Sequence, residues 1–220
     1  MNKLISVIMP VKNGENYMEE AITSIKNQNN NIEIIVVNDG STDNTEQIAK
    51  NLGCIVVNHD ISKGQVAAKN TGLKIAKGDY IIFCDHDDLL EPNALKIMLK
   101  EFERDIDLMV VNAKIKDFIS PDAQNQNQAI KVEPYYGCLG GSMLIKRNVF
   151  DITGLFEESI QAGEIIALTS NFQKHNIKVK KIEFVSSMRR IHDTNFGKTQ
   201  QKTEYKDYAK ALRERLKLRN

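Results

Sequence analysis

Several features that would classify a chain quickly are missing from this one. No apolar run approaches the roughly 18 residues of a membrane span. The N-terminal run, Leu4 to Met9, is cut off by Pro10 before it reaches the length of a secretory leader. An excess of one charge is missing too. Thirty lysines and arginines face 29 aspartates and glutamates, a formal net charge of +1, so there is no strongly basic face for broad nucleic-acid binding. Cysteines number only three, Cys54, Cys84 and Cys138. They are odd in number and far apart, so neither a disulfide framework nor a CxxC metal site is available, and they read as thiols of a reducing, cytoplasmic compartment. No repeat is visible. No GxGxxG follows the first apolar run, which argues against a redox dinucleotide enzyme.

What is present is an alternation. At 220 residues and 41% hydrophobic composition the chain has enough apolar side chains for one domain with a modest appendage. Short β-branched runs at Leu4 to Met9, Ile32 to Val37, Cys54 to Val57 and Tyr80 to Cys84 are separated by helix-patterned segments around Tyr17 to Gln28, Ile48 to Leu52 and Val66 to Ala76. That order predicts βαβ crossovers and a mostly parallel sheet. A helix is expected from Glu91 to about Phe102, since proline is welcome in a first turn. Further strands are expected at Leu108 to Val111, Met143 to Ile145 and Ile177 to Val185. A helix is expected from about Gly163 to Gln173, and a basic amphipathic helix from Tyr205 to Leu218. Between Lys116 and Lys131 the sequence is polar and reads as a mobile loop.

Each early strand empties into a polar loop: Pro10-Val11-Lys12-Asn13-Gly14, Asn38-Asp39-Gly40-Ser41, Asn58-His59-Asp60, and Asp85-His86-Asp87-Asp88. In an open α/β sheet, ligands bind at the carboxyl ends of the strands. Three carboxylates within four residues repel one another, a cost that a hard divalent cation carrying a diphosphate would relieve. A plainer role is open to the same residues, that of an acidic loop capping the next helix.

Taken together these pieces resemble a family-two glycosyltransferase of the GT-A fold. Ser6 to Gly14 resembles the family's first strand and nucleotide-facing loop, and Ile34 to Asp43 its second strand and aspartate-glycine-serine turn. Lys63-Gly64 through Ala68-Lys69-Asn70-Thr71-Gly72 is similar to its third loop and following helix, and Asp85-His86-Asp87 falls at its DxD motif. The resemblance continues more loosely through Gly140-Gly141 and Phe156-Glu157-Glu158 to Arg190-Ile191-His192.

The resemblance implies a Rossmann-like, mostly parallel central sheet flanked by helices, with a C-terminal extension on the acceptor side. Residues 1–115 would bind the nucleotide sugar, 116–131 would form the polar loop, 132–198 would build the acceptor side and a lid, and 199–220 the basic helix. That helix reads as a solvated face, with peripheral membrane contact as its alternative. The implied activity is metal-assisted, inverting transfer from a UDP-linked sugar to a glycan, lipid-linked or peptide acceptor.

Pro10, Val11 and Asn13 would line the base, Asp39 would accept from the uracil ring, and Asp60 would assist at base or ribose. Asp85 would face the ribose or a metal-bound water, and Asp87 with His192 would hold Mn2+ or Mg2+, with Arg190 and Asn195 beside them. Lys69 stands where the family has arginine and would give the phosphates a point charge without the planar fork. Asp88 would hold the loop and the following helix start. The family's acidic pair before the acceptor-side helix is reduced here to Glu164, the candidate base. The alternative function is a silent nucleotide-sugar-binding module that lacks the second acid. A nucleotidyltransferase ranks lower, because Val11 to Gly14 is short and carries one charge.

Overall fold

A computed structural model describes residues 3–124, 130–137, 140–159 and 164–195. The elements in chain order are β1 (Ile5–Val11), α1 (Met18–Lys26), β2 (Ile32–Asp39), α2 (Thr45–Asn51), β3 (Ile55–His59), α3 (Gln65–Ile75) and β4 (Tyr80–Phe83). They continue with β5 (Leu89–Leu90), α4 (Ala94–Arg104), β6 (Val110–Ile119), β7 (Met143–Lys146), α5 (Val149–Thr153), α6 (Glu164–Lys174) and β8 (Val179–Ile191).

All seven residues of β1 are buried, as a strand covered on both faces by crossover helices must be. The strands form one sheet in the order β3-β2-β1-β4-β7-β6-β8-β5. The first four pair in parallel. β7 runs antiparallel to both of its neighbours, and β5 runs antiparallel to β8, which is itself parallel to β6. Alternation along β1 sends Val7, Met9 and Val11 into one core layer with Met18, Ile22, Ala49 and Leu95. It sends Ile8 into the other, with Val66, Ala68, Phe150 and Leu168.

β2 and β3 lie on one side of β1 and β4 on the other, so the direction of winding reverses between β1 and β4. That reversal opens a crevice at their carboxyl ends. Pro10 sits in β1 without harm because the ladder to β4 ends at Ile8↔Phe83. Its missing amide falls beyond the last pair.

α3 lies so close to β1 that a Cβ on Gly72 would come within 2.4 Å of Ile8 Cγ2. α3 also anchors the second half of the chain. The Asn70 side chain accepts from the Phe156 amide and donates to the Phe156 carbonyl, both at 3.0 Å, and donates to Glu158 Oε1 at 3.0 Å.

Three expected boundaries move. β6 runs on to Ile119, so residues 116–119 belong to a strand and not to the expected polar loop. Their polar groups are used: Asp117 accepts from the Tyr135 hydroxyl at 2.8 Å and the Lys131 amide at 3.1 Å. β8 likewise runs to Ile191, taking in Arg189 and Arg190, because it pairs with β6 through Phe118↔Arg190 and Ile119↔Ile191. Helix α4 begins at Ala94, three residues later than expected. The Glu91 amide is still bound to the Ser186 carbonyl at the edge of β5. Residues 125–129 of the polar loop, Cys138, Gly163 and the basic helix of 199–220 lie outside the described residues. Among the described residues no helix is long and apolar enough to cross a membrane.

Replacing Asn70 by Ala strips partners from two buried backbone groups of Phe156. The expected loss is about 2 kcal/mol or more of unfolding free energy, read as a lower urea midpoint with an unchanged slope.

Candidate functional site

Loops from β1 and β2 are stitched together before any ligand arrives. The Asn13 amide donates to Ser41 Oγ at 2.9 Å, Asn13 Oδ1 accepts from the Thr42 amide at 2.9 Å, and the Gly14 amide donates to Thr45 Oγ1 at 2.8 Å. Asn13 holds a left-handed φ of 55°, which asparagine tolerates better than most residues. Gly14 packs against the β4 loop: a Cβ there would meet His86 Cδ2 at 2.8 Å. The walls of the crevice therefore touch across the winding reversal. Val11 is buried beneath them.

Asp39, at the end of β2, is 4% exposed, and its carboxylate is fully engaged. Oδ1 bonds His59 Nδ1 at 2.7 Å and the Lys63 amide at 2.8 Å. Oδ2 accepts from Ser62 Oγ at 2.7 Å and the Gly64 amide at 2.9 Å. A carboxylate offers about four lone-pair sites, and the protein itself fills them. Burial pushes this carboxyl up, but the Lys63 amide, Ser62, His59 and the Gly64 amide outweigh it and hold the pKa below the usual carboxylate value. His59 Nε2 reaches Thr71 Oγ1 on α3 at 2.9 Å, so Asp39 ties β2, β3, the loop of residues 60–64 and α3 into one frame. Asp60, in that loop, is exposed. The sequence reading left His59 without a role. Its signal was a histidine directly before Asp60 at a strand end.

The three carboxylates after β4 differ sharply. For Asp87, burial would raise the pKa, but the hydrogen bond from His192 and the nearby charges of His86 and His192 carry it below the usual value. Asp85 is raised by burial; the Lys69 charge opposes this, while Asp87 and Glu164 add to it. Asp88 is raised well above the ordinary range, by burial first and then by Asp87 and Asp85. Environments that separate like groups in this way separate their roles. Asp88 Oδ1 accepts from the Arg190 amide at 2.9 Å, so it secures β8 and not the start of α4, which has no side-chain cap.

Asp87 Oδ2 lies 2.9 Å from His192 Nε2, and His192 Nδ1 lies 2.9 Å from Thr194 Oγ1. Asn195 binds the same loop, accepting from the His192 amide at 2.6 Å and donating to the Arg190 carbonyl at 3.1 Å. Tyr17 packs on the imidazole with centroids 4.7 Å apart.

A carboxylate oxygen and an imidazole nitrogen 2.9 Å apart match the edge of an octahedron with bonds of about 2.1 Å. Thr194 can accept the Nδ1 proton when Nε2 turns its lone pair to a metal. Among the described residues no three His, Cys, Asp or Glu form a metal cluster. An ion held jointly with substrate phosphates needs only one or two protein ligands, and Asp87 with His192 fit that arrangement.

Arg190, expected beside the nucleotide, is engaged within the protein. It is 4% exposed and donates to the Asp87 carbonyl at 2.9 Å, Ser120 Oγ at 3.3 Å and Glu20 Oε2 at 2.5 Å. Its guanidinium sits 4.9 Å from the Tyr17 ring centroid and 4.8 Å from that of Phe118. The side chain clamps the Asp87 turn from behind. Lys69, 2% exposed, directs its ammonium to Glu164 Oε1 at 2.5 Å. Gln65, one helical turn earlier, donates to Asp85 Oδ1 at 3.2 Å, a contact that no sequence signal marked.

An acidic turn at the reversal of winding, an asparagine-bearing loop across from it, and an antiparallel strand inserted after β4 define the GT-A class of α/β domain. Residues 6–156 match the model of the family described as Glycosyl transferase family 2, and the chain belongs to that family. An uncharacterized glycosyltransferase of Rickettsia typhi is 32% identical over 89% of this chain and 66% of its own length. Glycosyltransferase GlyG of Streptococcus pneumoniae is 39% identical over 51% of this chain and 40% of its own. The chain thus spans about two thirds or less of these curated relatives. Among solved structures, S. aureus TarS in complex with UDP-GlcNAc superposes with a TM-score of 0.76 at 21% identity, covering 97% of this chain and 66% of that one. The mannosyltransferase PcManGT from Pyrobaculum calidifontis, in complex with GDP-Man and Mn2+, gives 0.73 at 18%, covering 97% and 65%. These two likenesses establish the shared fold.

The depressed pKa of Asp39 fixes a sign. Its contribution to stability is complete above the unfolded value of about 3.9 and is lost as pH falls through the folded value. Urea denaturation should show wild type more stable than Asp39→Asn at pH 6, with the gap closing between about pH 4 and pH 2.

Proposed function

We propose that the chain is the donor-binding and catalytic part of a glycosyltransferase that moves a sugar from a UDP-linked donor to a hydroxyl acceptor, with metal assistance and inversion. The observation that carries this reading is the Asp87–His192 pair. It is a carboxylate kept ionised and an imidazole at ligand spacing, placed at the reversal of winding in a family-two GT-A domain.

The frame of Asn13, Ser41 and Asp39 shapes the floor for a base and ribose. Pro10 and Val11 give it an apolar edge, and the loop of residues 60–64 that Asp39 holds supplies the opposite rim. Asp85 faces the ribose side of the crevice, with Gln65 steadying it. Mn2+ or Mg2+ on Asp87 and His192 would act as a Lewis acid on the departing diphosphate, and the imidazole favours manganese. In the transfer itself, an acceptor oxygen bonds to the anomeric carbon as the bond from that carbon to the phosphate oxygen breaks. The bonding pair leaves with the diphosphate and the hydroxyl proton passes to Glu164. Glu164 opens α6 on the acceptor side of the sheet.

Calorimetry of the full chain with UDP and MnCl2 tests the donor site. Wild type is expected to bind UDP only with the metal present. Asp87→Ala should abolish the metal-dependent part, and His192→Ala, which removes the other direct ligand, should weaken it by at least the roughly 10–100-fold typical of losing a residue that only supports a ligand. Undiminished binding in Asp87→Ala removes the site from this place. Metal-dependent binding without slow hydrolysis of any UDP-sugar identifies the chain as a binding module.

A further inference from the structure

Lys69 is 2% exposed and Glu164 8%, and they meet at 2.5 Å across 95 residues of sequence. A buried carboxylate without a cation is driven toward its neutral form, and a neutral carboxyl cannot take a proton. The neighbouring Asn70 pins Phe156 and Glu158, so consecutive residues of α3 hold both flanks of the segment that leads into α6. The ammonium also lies 6.0 Å from the Phe83 ring centroid.

We propose that Lys69 is the positioning residue of the base: its ammonium fixes the Glu164 carboxylate in place at the start of α6, and its partner is this carboxylate instead of the donor diphosphate. The inference rests on the reading of Glu164 as base. It assigns to Lys69 a role other than the phosphate contact expected from its position in the sequence.

The test uses Lys69→Met, Lys69→Arg, Glu164→Gln and the double variant Lys69→Met/Glu164→Gln. Three readouts are taken: calorimetric binding of UDP with MnCl2, the pH profile of Mn2+-dependent hydrolysis of UDP-glucose, UDP-galactose and UDP-GlcNAc, and urea stability against pH. Lys69→Met should bind UDP and Mn2+ within about threefold of wild type, while the acid limb of its hydrolysis profile moves up by about one pH unit or more. Lys69→Arg should bring the limb back toward wild type. Independently of any activity, Lys69→Met should lose stability as pH rises from acid toward neutral, where its unpaired buried carboxyl must ionise, and the double variant should not. A tenfold or greater loss of UDP binding in Lys69→Met with the acid limb unmoved overturns the proposal. So does an equal pH dependence of stability in Lys69→Met and the double variant. Hydrolysis retained in Glu164→Gln removes the base assignment itself and leaves the donor site standing, so the two failures are distinguishable.

Discussion

Like charge at one strand end is the constraint around which the structure is arranged. Asp85, Asp87 and Asp88 follow β4 within four residues, and a half-buried crevice does not tolerate three ionised carboxylates without compensation. The protein divides the cost. Asp87 receives an imidazole and the carbonyl of its own residue is clamped by a buried arginine. Asp85 receives an amide from Gln65 and the field of Lys69. Asp88 is pushed toward its neutral form and is left to hold a backbone amide. Asp87 is the one of the three whose pKa is lowered, and its side chain meets His192.

Around that division the remaining polar residues of the crevice serve mainly as framework. Asp39 illustrates this. Its four bonds gather β2, β3, the loop of residues 60–64 and α3, so the floor of the crevice is the one these elements build together. Arg190 illustrates it again: its stacking between Tyr17 and Phe118 and its bond to Glu20 join α1, β6 and β8 behind the acidic turn. A rigid frame of this kind keeps a small set of groups in position without further ordering when a ligand enters.

Much of the frame was legible from sequence. Branched runs with helix-patterned segments between them specify parallel crossovers, and β1 to β4 lie where those runs are. Polar loops at strand ends mark the crevice, and the spacing of Asp39, Lys69 and Asp85 to Asp88 marks the family. What was not legible was decided by distant partners. Strand β5 is two residues long and exists through Leu89↔Met188 and Leu90↔Ser187, too short for any periodicity. The polar stretch of residues 116–119 becomes strand because Tyr135 and β8 supply partners from afar. Arginine at position 190 looks like an anion binder in sequence, and only the fold reveals two aromatic rings and a carbonyl waiting for it.

The long reach of β8 bears on how the molecule is made. The Arg190 amide meets Asp88 across 102 residues, and the His192 imidazole meets Asp87 across 105. A ribosome that has finished the first four strands and their helices has therefore produced a core without a finished acidic turn. The acidic loop must wait, mutually repelling and unclamped, until strand and histidine emerge. Contacts so far apart in sequence form late because loop closure precedes their reward. The acidic turn is in this sense completed only after β8 has been made.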